Sequence, residues 1–312
     1  MRARPPLRHL LDAALAAAAL GTAAPWLAGA STVADLLGQF LQQVALLTLA
    51  LALLTWLTRQ RLRALVAAAL LALQLVVLRP DLDSIGAAAD GAPARVLFFN
   101  VWARNGSREE TLDYIRRSDA DVVVLAEVTE GWPALIDRLA DAYPWRVDCL
   151  GHSGCDVVLL ARSRPLAAHG ERDEASGAPY VEARLRLAGH AVTIAGSHLT
   201  RPVLDGDPVR QRRQAAFLAD RLGAIAGPRL LVGDFNAVPW GAVGSILRRG
   251  SGLEPASGAT GSWPSPLPGA LRIPIDLALA SPDLAGSVRR VGPWLGSDHR
   301  PIMVELKGLH SG

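Results

Sequence analysis

Two short segments near the C-terminus, Gly233-Asp234-Phe235-Asn236 and Ser297-Asp298-His299, set carboxylate, carboxamide and imidazole groups beside apolar runs of strand length. The same punctuation recurs upstream. Asn100 lies within Val96–Val101, Glu127 closes Val122–Ala126, His198 follows Ala191–Ala195, and Asp276 sits at the start of Ile275–Ala280. Polar groups at so many strand ends predict one shared rim, and their chemistry suits phosphoester cleavage. That reaction needs a hard cation to neutralise phosphoryl oxygens, a base to activate water, and donors to hold the phosphoryl group. Carboxylate ligands with open water positions suit Mg²⁺ or Mn²⁺. Glu127 is the best candidate ligand, because a lone carboxylate straight after Val122-Val123-Val124-Leu125-Ala126 is costly to bury without a partner. His152, His169, His190 and His310 lack such neighbours and are read as solvated or structural.

These groups must be positioned by an α/β domain starting near Arg95. Further strand-like runs lie at Val157–Ala161, Val181–Leu187, Leu230–Val232 and Ile302–Leu306. Most are continuously apolar, whereas Val181–Leu187 alternates, with Glu182, Arg184 and Arg186 on one face. Helical patterns fall between them at Arg108–Arg117, Trp132–Ala142, Val209–Ile225 and Ala242–Arg249. Some 200 residues are ample for a single core.

Ahead of this domain, roughly Leu10–Leu27, Leu37–Leu57 and Leu62–Leu78 form three Leu/Ala/Val-rich stretches. Each is near the ~20 residues that cross a bilayer. Residues 1–80 carry seven arginines against Asp12 and Asp35, a net +5, and the remainder carries −2. The basic excess therefore belongs to the membrane part. This excludes a nucleic-acid binder that relies on a domain-wide basic field. Arg2, Arg4 and Arg8 precede the first stretch, Arg59, Arg61 and Arg63 separate the second from the third, and residues 29–36 carry no positive charge. The positive-inside rule then places the N-terminus inside and everything beyond Leu78 outside the cytoplasm, in the cell (inner) membrane. Ala28-Gly29-Ala30 also reads as a small-residue cleavage site, and cleavage there would leave the same final orientation. The expected division is a membrane region at 1–80, a linker at 81–93, a catalytic domain at 94–308 and a tail at 309–312. Cys149 and Cys155 either close a small disulfide loop or serve as small buried thiols.

Taken in order, Phe99-Asn100, Ala126-Glu127, Ser197-His198-Leu199, Gly233-Asp234-Phe235-Asn236, Ile275-Asp276 and Ser297-Asp298-His299 form a specific series. It resembles the endonuclease/exonuclease/phosphatase superfamily from about Arg95 to Leu306. The Asn-x-x-Pro-Trp extension at Asn236–Trp240 and the Ser262-Trp263-Pro264 segment resemble its bacterial membrane-linked branch. The resemblance implies a four-layer α/β/β/α sandwich, two packed mixed β-sheets flanked by helices, preceded here by transmembrane helices. It implies that Glu127 binds the metal with Asn100 organising that site, and that Asp298 supports metal or histidine. Asp234 would activate or position the attacking water, and Asn236 would hold it and the phosphoryl group. His299, oriented by Asp276, would be an acid–base or phosphate-contacting group, and His198 would contact phosphate. Either Asp234 or the His299–Asp276 pair fits the role of base. Two departures stand out. Val101-Trp102 follow Asn100 where some members have a second acid, and Ile273-Pro274-Ile275-Asp276-Leu277 lacks the basic residue that often adjoins that aspartate.

The expected function is a membrane-tethered, divalent-metal-dependent phosphodiesterase acting on nucleic acid with water as nucleophile. Arg201, Arg210, Arg212 and Arg213 read either as a phosphate-contacting patch or as a solvated face of the Val209–Ile225 helix. A phospholipid headgroup or other membrane phosphoester is the rival substrate, because tethering raises its effective concentration. A non-catalytic phosphate-binding membrane module is the alternative of another class.

Overall fold

The computed structural model describes residues 5–82, 94–203, 206–258 and 260–308. Most of the expected linker, the tail and His310 lie outside these residues. The chain falls into two compact units, one made by the N-terminal helices together with Trp240–Ala242, the other by the remainder.

In the first unit, α1 (Pro5–Leu27), α2 (Thr32–Gly38), α3 (Leu41–Leu57) and α4 (Arg61–Leu82) follow one another. Leu11, Leu15, Leu51 and Ala67 pack inside, while Leu20, Trp56 and Leu62 are 70%, 69% and 76% exposed. A bundle that points its leucines outward suits lipid rather than water. Among the described residues, Leu7–Leu27 and Arg61–Arg79 are long and apolar enough to cross a membrane, and α2 with α3 qualifies only as a bent pair. The stretch expected at Leu37–Leu57 is carried by α3 and the end of α2. It breaks between Gly38 and Leu41 with a 62° bend, where glycine weakens the helix. The Gln74 amide donates to Thr22 Oγ1 at 2.8 Å and Thr48 Oγ1 at 3.0 Å, tying α4 to α1 and α3.

The second unit contains β1 (Ala94–Asn100), α5 (Arg108–Arg117), β2 (Val122–Ala126), α6 (Trp132–Ile136), β3 (Trp145–Asp148), β4 (Val158–Ala161), β5 (Ala167–Arg172), β6 (Pro179–Leu187) and β7 (His190–His198). It continues with α7 (Pro208–Gly223), β8 (Arg229–Asp234), α8 (Ala242–Ser251), β9 (Glu254–Pro255), β10 (Asp276–Ala280), β11 (Val288–Val291) and β12 (Ile302–Leu306). Two six-stranded sheets result, ordered β11-β12-β1-β2-β4-β3 and β5-β6-β7-β8-β10-β9. Each mixes one parallel pair, β1–β2 or β7–β8, with antiparallel neighbours.

Strand alternation sorts the side chains into layers. Val96, Phe98, Val122 and Val124 of one sheet meet Ile194, Leu230, Val232 and Ala278 of the other in the central core. The opposite face of the first sheet packs on α5 and α6 through Leu97, Phe99, Ile115 and Trp132. That of the second packs on α7 and α8 through Leu231, Leu218, Leu222 and Leu247. This is the four-layer sandwich. The sheets approach so closely at Gly196 that a Cβ there would lie 2.4 Å from Val124 Cγ1. Cys149 and Cys155 form a disulfide.

Candidate active site

The site is the edge of the central core. Phe98 faces inward, so Asn100 does too, and Val232 and Asp234 share that face in the same way. Backbone register does the rest. His198 on β7 and Asp276 on β10 both pair with Asp234 on β8, so the three side chains stand in a row across adjacent strands. Asn100 pairs with Ala126, the residue before Glu127. The alternation that buries the apolar residues therefore delivers the polar ones to a single rim.

Asp234 is the hub. It is 1% exposed; its Oδ2 accepts from Asn100 Nδ2 at 3.0 Å and lies 3.5 Å from His299 Nε2 and 3.8 Å from His198 Nε2. Its Oδ1 accepts from Asn236 N at 2.9 Å. Burial pushes the Asp234 carboxyl up, opposed by the charges of His299 and His198 and by the Asn236 N–H, while Asp276 adds to the rise. Each histidine has its own carboxylate. His299 Nδ1 lies 2.9 Å from Asp276 Oδ2, and His198 Nδ1 lies 2.8 Å from Asp156 Oδ2. Burial alone would depress the two imidazoles. The carboxylates outweigh it and hold both pKa values up to about 10, chiefly Asp156 for His198 and Asp276 for His299. Both rings thus carry charge at neutral pH and anchor their other nitrogen toward Asp234.

Glu127 occupies the adjoining corner. Its Oε1 accepts from Asn100 Nδ2 at 3.0 Å and its Oε2 from Ala103 N at 3.3 Å; among the described residues it makes no ion pair. The Asn100 amide group thus serves two carboxylates at once, and its Oδ1 accepts from Trp102 N. Glu127, Trp102 and Asn236 all adopt left-handed backbone, with φ of 57°, 56° and 49°. Asn tolerates this, whereas Glu and Trp do so at a cost of about 1–2 kcal/mol. Asp298 Oδ2 accepts from Trp263 Nε1 at 3.3 Å, and its Oδ1 is buried with no hydrogen-bond partner. Hard oxygen donors without a paired cation, one of them orphaned, fit a divalent ion. A second cluster exists, since Asp234, Asp276 and His299 offer ligand atoms within 4.8 Å of one another. There, however, the His299–Asp276 hydrogen bond already engages both partners.

The eight residues singled out from the sequence all lie on this rim. Asn236 donates its Nδ2 to Leu199 O, and its turn is fixed from below by Gln211, whose amide donates to Phe235 O and Asn236 O. Asp156 and Gln211 were missed. Asp156 stands directly before the buried run of β4, the mirror of the signal that exposed Glu127 after β2, but the adjacent cysteine gave that segment a different meaning. His169 pairs with Glu171 at 3.2 Å on the surface, and His152 is exposed, as expected.

A sandwich whose core opens onto carboxylates, two carboxylate-paired imidazoles and a shared carboxamide defines the class of metal-dependent phosphoester hydrolases. A sequence profile of the Endonuclease/Exonuclease/phosphatase family matches residues 97–299, and the chain belongs to that family. Comparison with curated protein sequences gives no match. Among solved structures, a beta toxin mutant from Staphylococcus aureus with bound magnesium ions aligns at 16% identity and a TM-score of 0.55, covering 68% of this chain and 99% of that one. Sphingomyelinase C from Streptomyces griseocarneus aligns at 18% and 0.54, covering 68% and 98%. TDP2 from D. rerio complexed with single-strand DNA product aligns at 12% and 0.56, covering 69% and 98%. At such identities the likeness is one of fold.

Proposed function

We propose that this protein is a membrane-tethered phosphodiesterase that hydrolyses nucleic acid outside the cytoplasm, using Mg²⁺ or Mn²⁺ and water as nucleophile. The observation that carries the reading is Asp234, buried between two imidazoles and sharing the Asn100 amide with Glu127. Glu127 and Asp298 would hold the ion, with Asn100 fixing the Glu127 carboxylate. When bound, the ion neutralises charge on the phosphoryl oxygens. The beta toxin relative, whose structure contains magnesium ions, supports that choice.

Asp234 would take a proton from water as the water oxygen bonds to phosphorus and the bond to the leaving oxygen breaks. Its raised pKa makes it a stronger base than an ordinary aspartate. His299 and His198, held charged by Asp276 and Asp156, are donors for the phosphoryl oxygens and for the leaving group, a role imidazolium fills and neutral imidazole does not. This favours Asp234 over the His299–Asp276 pair as base. The arrangement of left-handed residues at Trp102, Glu127 and Asn236 holds these groups without relying on substrate.

The apolar helices of the first unit support tethering, and the arginine asymmetry of the sequence supports a C-terminal unit outside the cytoplasm. The disulfide Cys149–Cys155 agrees, because such bonds persist in oxidising compartments. A membrane phosphoester is the second reading, favoured by tethering itself. The test is hydrolysis of bis(p-nitrophenyl) phosphate, plasmid DNA and phospholipid vesicles by the full-length protein in detergent, with Mg²⁺, Mn²⁺ or EDTA. Expected is metal-dependent turnover with preference for DNA, reduced about 10²–10⁴-fold in Asp234→Ala. Vesicle lipids preferred over DNA would transfer the reading to the lipid substrate. Metal-dependent phosphate binding with no turnover on any of the three would favour the non-catalytic module.

A further inference from the structure

A cavity of about 240 Å³ adjoins the rim, sharing His198 and Asp156 with it and bordered also by Gly177, Thr200, Arg201 and Arg210. A third arginine reaches the same wall. A Cβ on Gly177 would fall 2.7 Å from a terminal nitrogen of Arg210 and 2.8 Å from one of Arg172, so both guanidinium groups converge on one point. Gly177, with φ of +71°, is the residue whose missing side chain admits them. Arg172 also runs past Gly154, another residue of the cavity wall, with its Nε 3.6 Å from a Cβ built there. That Nε is buried and lacks a hydrogen-bond partner.

Like charges gathered this closely repel unless something compensates them. Among the described residues, the carboxylates near by already hold hydrogen-bond partners. Asp173 accepts from Ser176 N and Oγ, Asp207 caps α7 through Val209 N and Arg210 N, and Asp156 holds His198. Among the described residues, Arg172, Arg201 and Arg210 form no ion pair. Arg210 stands in the first turn of α7, whose N-terminal N–H groups are capped by the Asp207 carboxylate. Planar guanidinium forks are matched to phosphate oxygens.

We propose that Arg172, Arg201 and Arg210 form an anion subsite that takes a second phosphate of the substrate, the one next to the scissile phosphodiester along a polynucleotide strand. The proposal rests on the phosphodiesterase reading above and sharpens it. The wall shared through His198 and Asp156 puts the cavity one step from Asp234. A headgroup ending in choline or another amine would bring positive charge to three arginines and is disfavoured at this position. The cluster also explains how an acidic domain handles a polyanion, by concentrating positive charge at one place.

The test compares thymidylyl-thymidine with its 5′-phosphorylated and 3′-phosphorylated forms, using full-length protein in detergent with Mg²⁺. Expected is a preference in kcat/KM of about ten- to hundredfold for one phosphorylated form, expressed mainly in KM. In Arg172→Gln/Arg210→Gln that preference should collapse, and in the exposed-strand control Arg184→Gln it should persist. No preference in the wild type, or the same preference in the double variant, overturns the subsite. If none of the dinucleotides nor bis(p-nitrophenyl) phosphate is cleaved, the hydrolase reading fails separately. Calorimetric titration of the three dinucleotides in EDTA then decides the subsite, with equal binding of all three, or equal binding by wild type and double variant, counting against it.

Discussion

Two charged imidazoles around one buried carboxylate make strong statements about pH. His198 and His299 have pKa values of about 10 when folded against about 6.5 in an unfolded chain. A group raised on folding contributes stability fully below its unfolded value and loses it as pH rises through its folded value. Thermal melts of the metal-free protein should therefore fall steadily from about pH 7 to about pH 10; a flat profile would mean that the rings are not held charged. Asp276→Asn keeps a hydrogen-bond partner for His299 Nδ1 but removes the charge that raises it. The expected result is a lower kcat and an alkaline limb of the pH–rate profile displaced to lower pH, read from initial rates across the same range. An unmoved limb would assign that titration to another group. The residues behind these predictions were legible from sequence because each interrupts an apolar run. Asp156 was not, since a cysteine beside it offered a simpler meaning, and Arg172 was hidden in a polar segment.

That segment shows where element reading stops. β1, β2, β8 and β12 are continuously or nearly buried and could be read from their apolar runs. β3, β5 and β11 carry exposed or charged residues, because outer strands in both sheets bury less surface, so periodicity had no contrast to detect. The Trp132–Ala142 pattern forms a helix only to Ile136, then a short 3₁₀ turn over Asp137–Leu139; its apolar spacing records burial, not helix length. Packing between elements can be probed at Gly196. A methyl there meets Val124 Cγ1 at 2.4 Å and Val181 Cγ2 at 3.1 Å, so Gly196→Ala should cost about 1–3 kcal/mol, visible as a lower Tm with metal-dependent activity retained at low temperature. In the helical unit, Gln74→Leu would unlink α4 from Thr22 and Thr48 and should lower detergent-solubilised stability by about 0.6–2 kcal/mol. An unchanged melting profile would show that packing alone joins those helices.

For the molecule as a whole, the leucine-bearing exterior of α1, α3 and α4 predicts that the protein stays with the membrane fraction after alkaline carbonate washing and leaves it only in detergent. Release by carbonate would make the helices peripheral. A reporter active only outside the cytoplasm, fused after Gly312, should be active, and its cytoplasmic counterpart silent. The opposite pattern would invert the predicted orientation while leaving the site chemistry untouched. His198, Asp234 and Asp276 sit at one register level on neighbouring strands, so their separation is ruled by the backbone spacing of about 4.8 Å between strands and not by any loop. The reactive span is thus a fixed gauge, set when the ladder closes, while the segments that meet the substrate hang from its end. The segments around that end can lengthen, shed arginines or gain them, and change what is cleaved without recalibrating how.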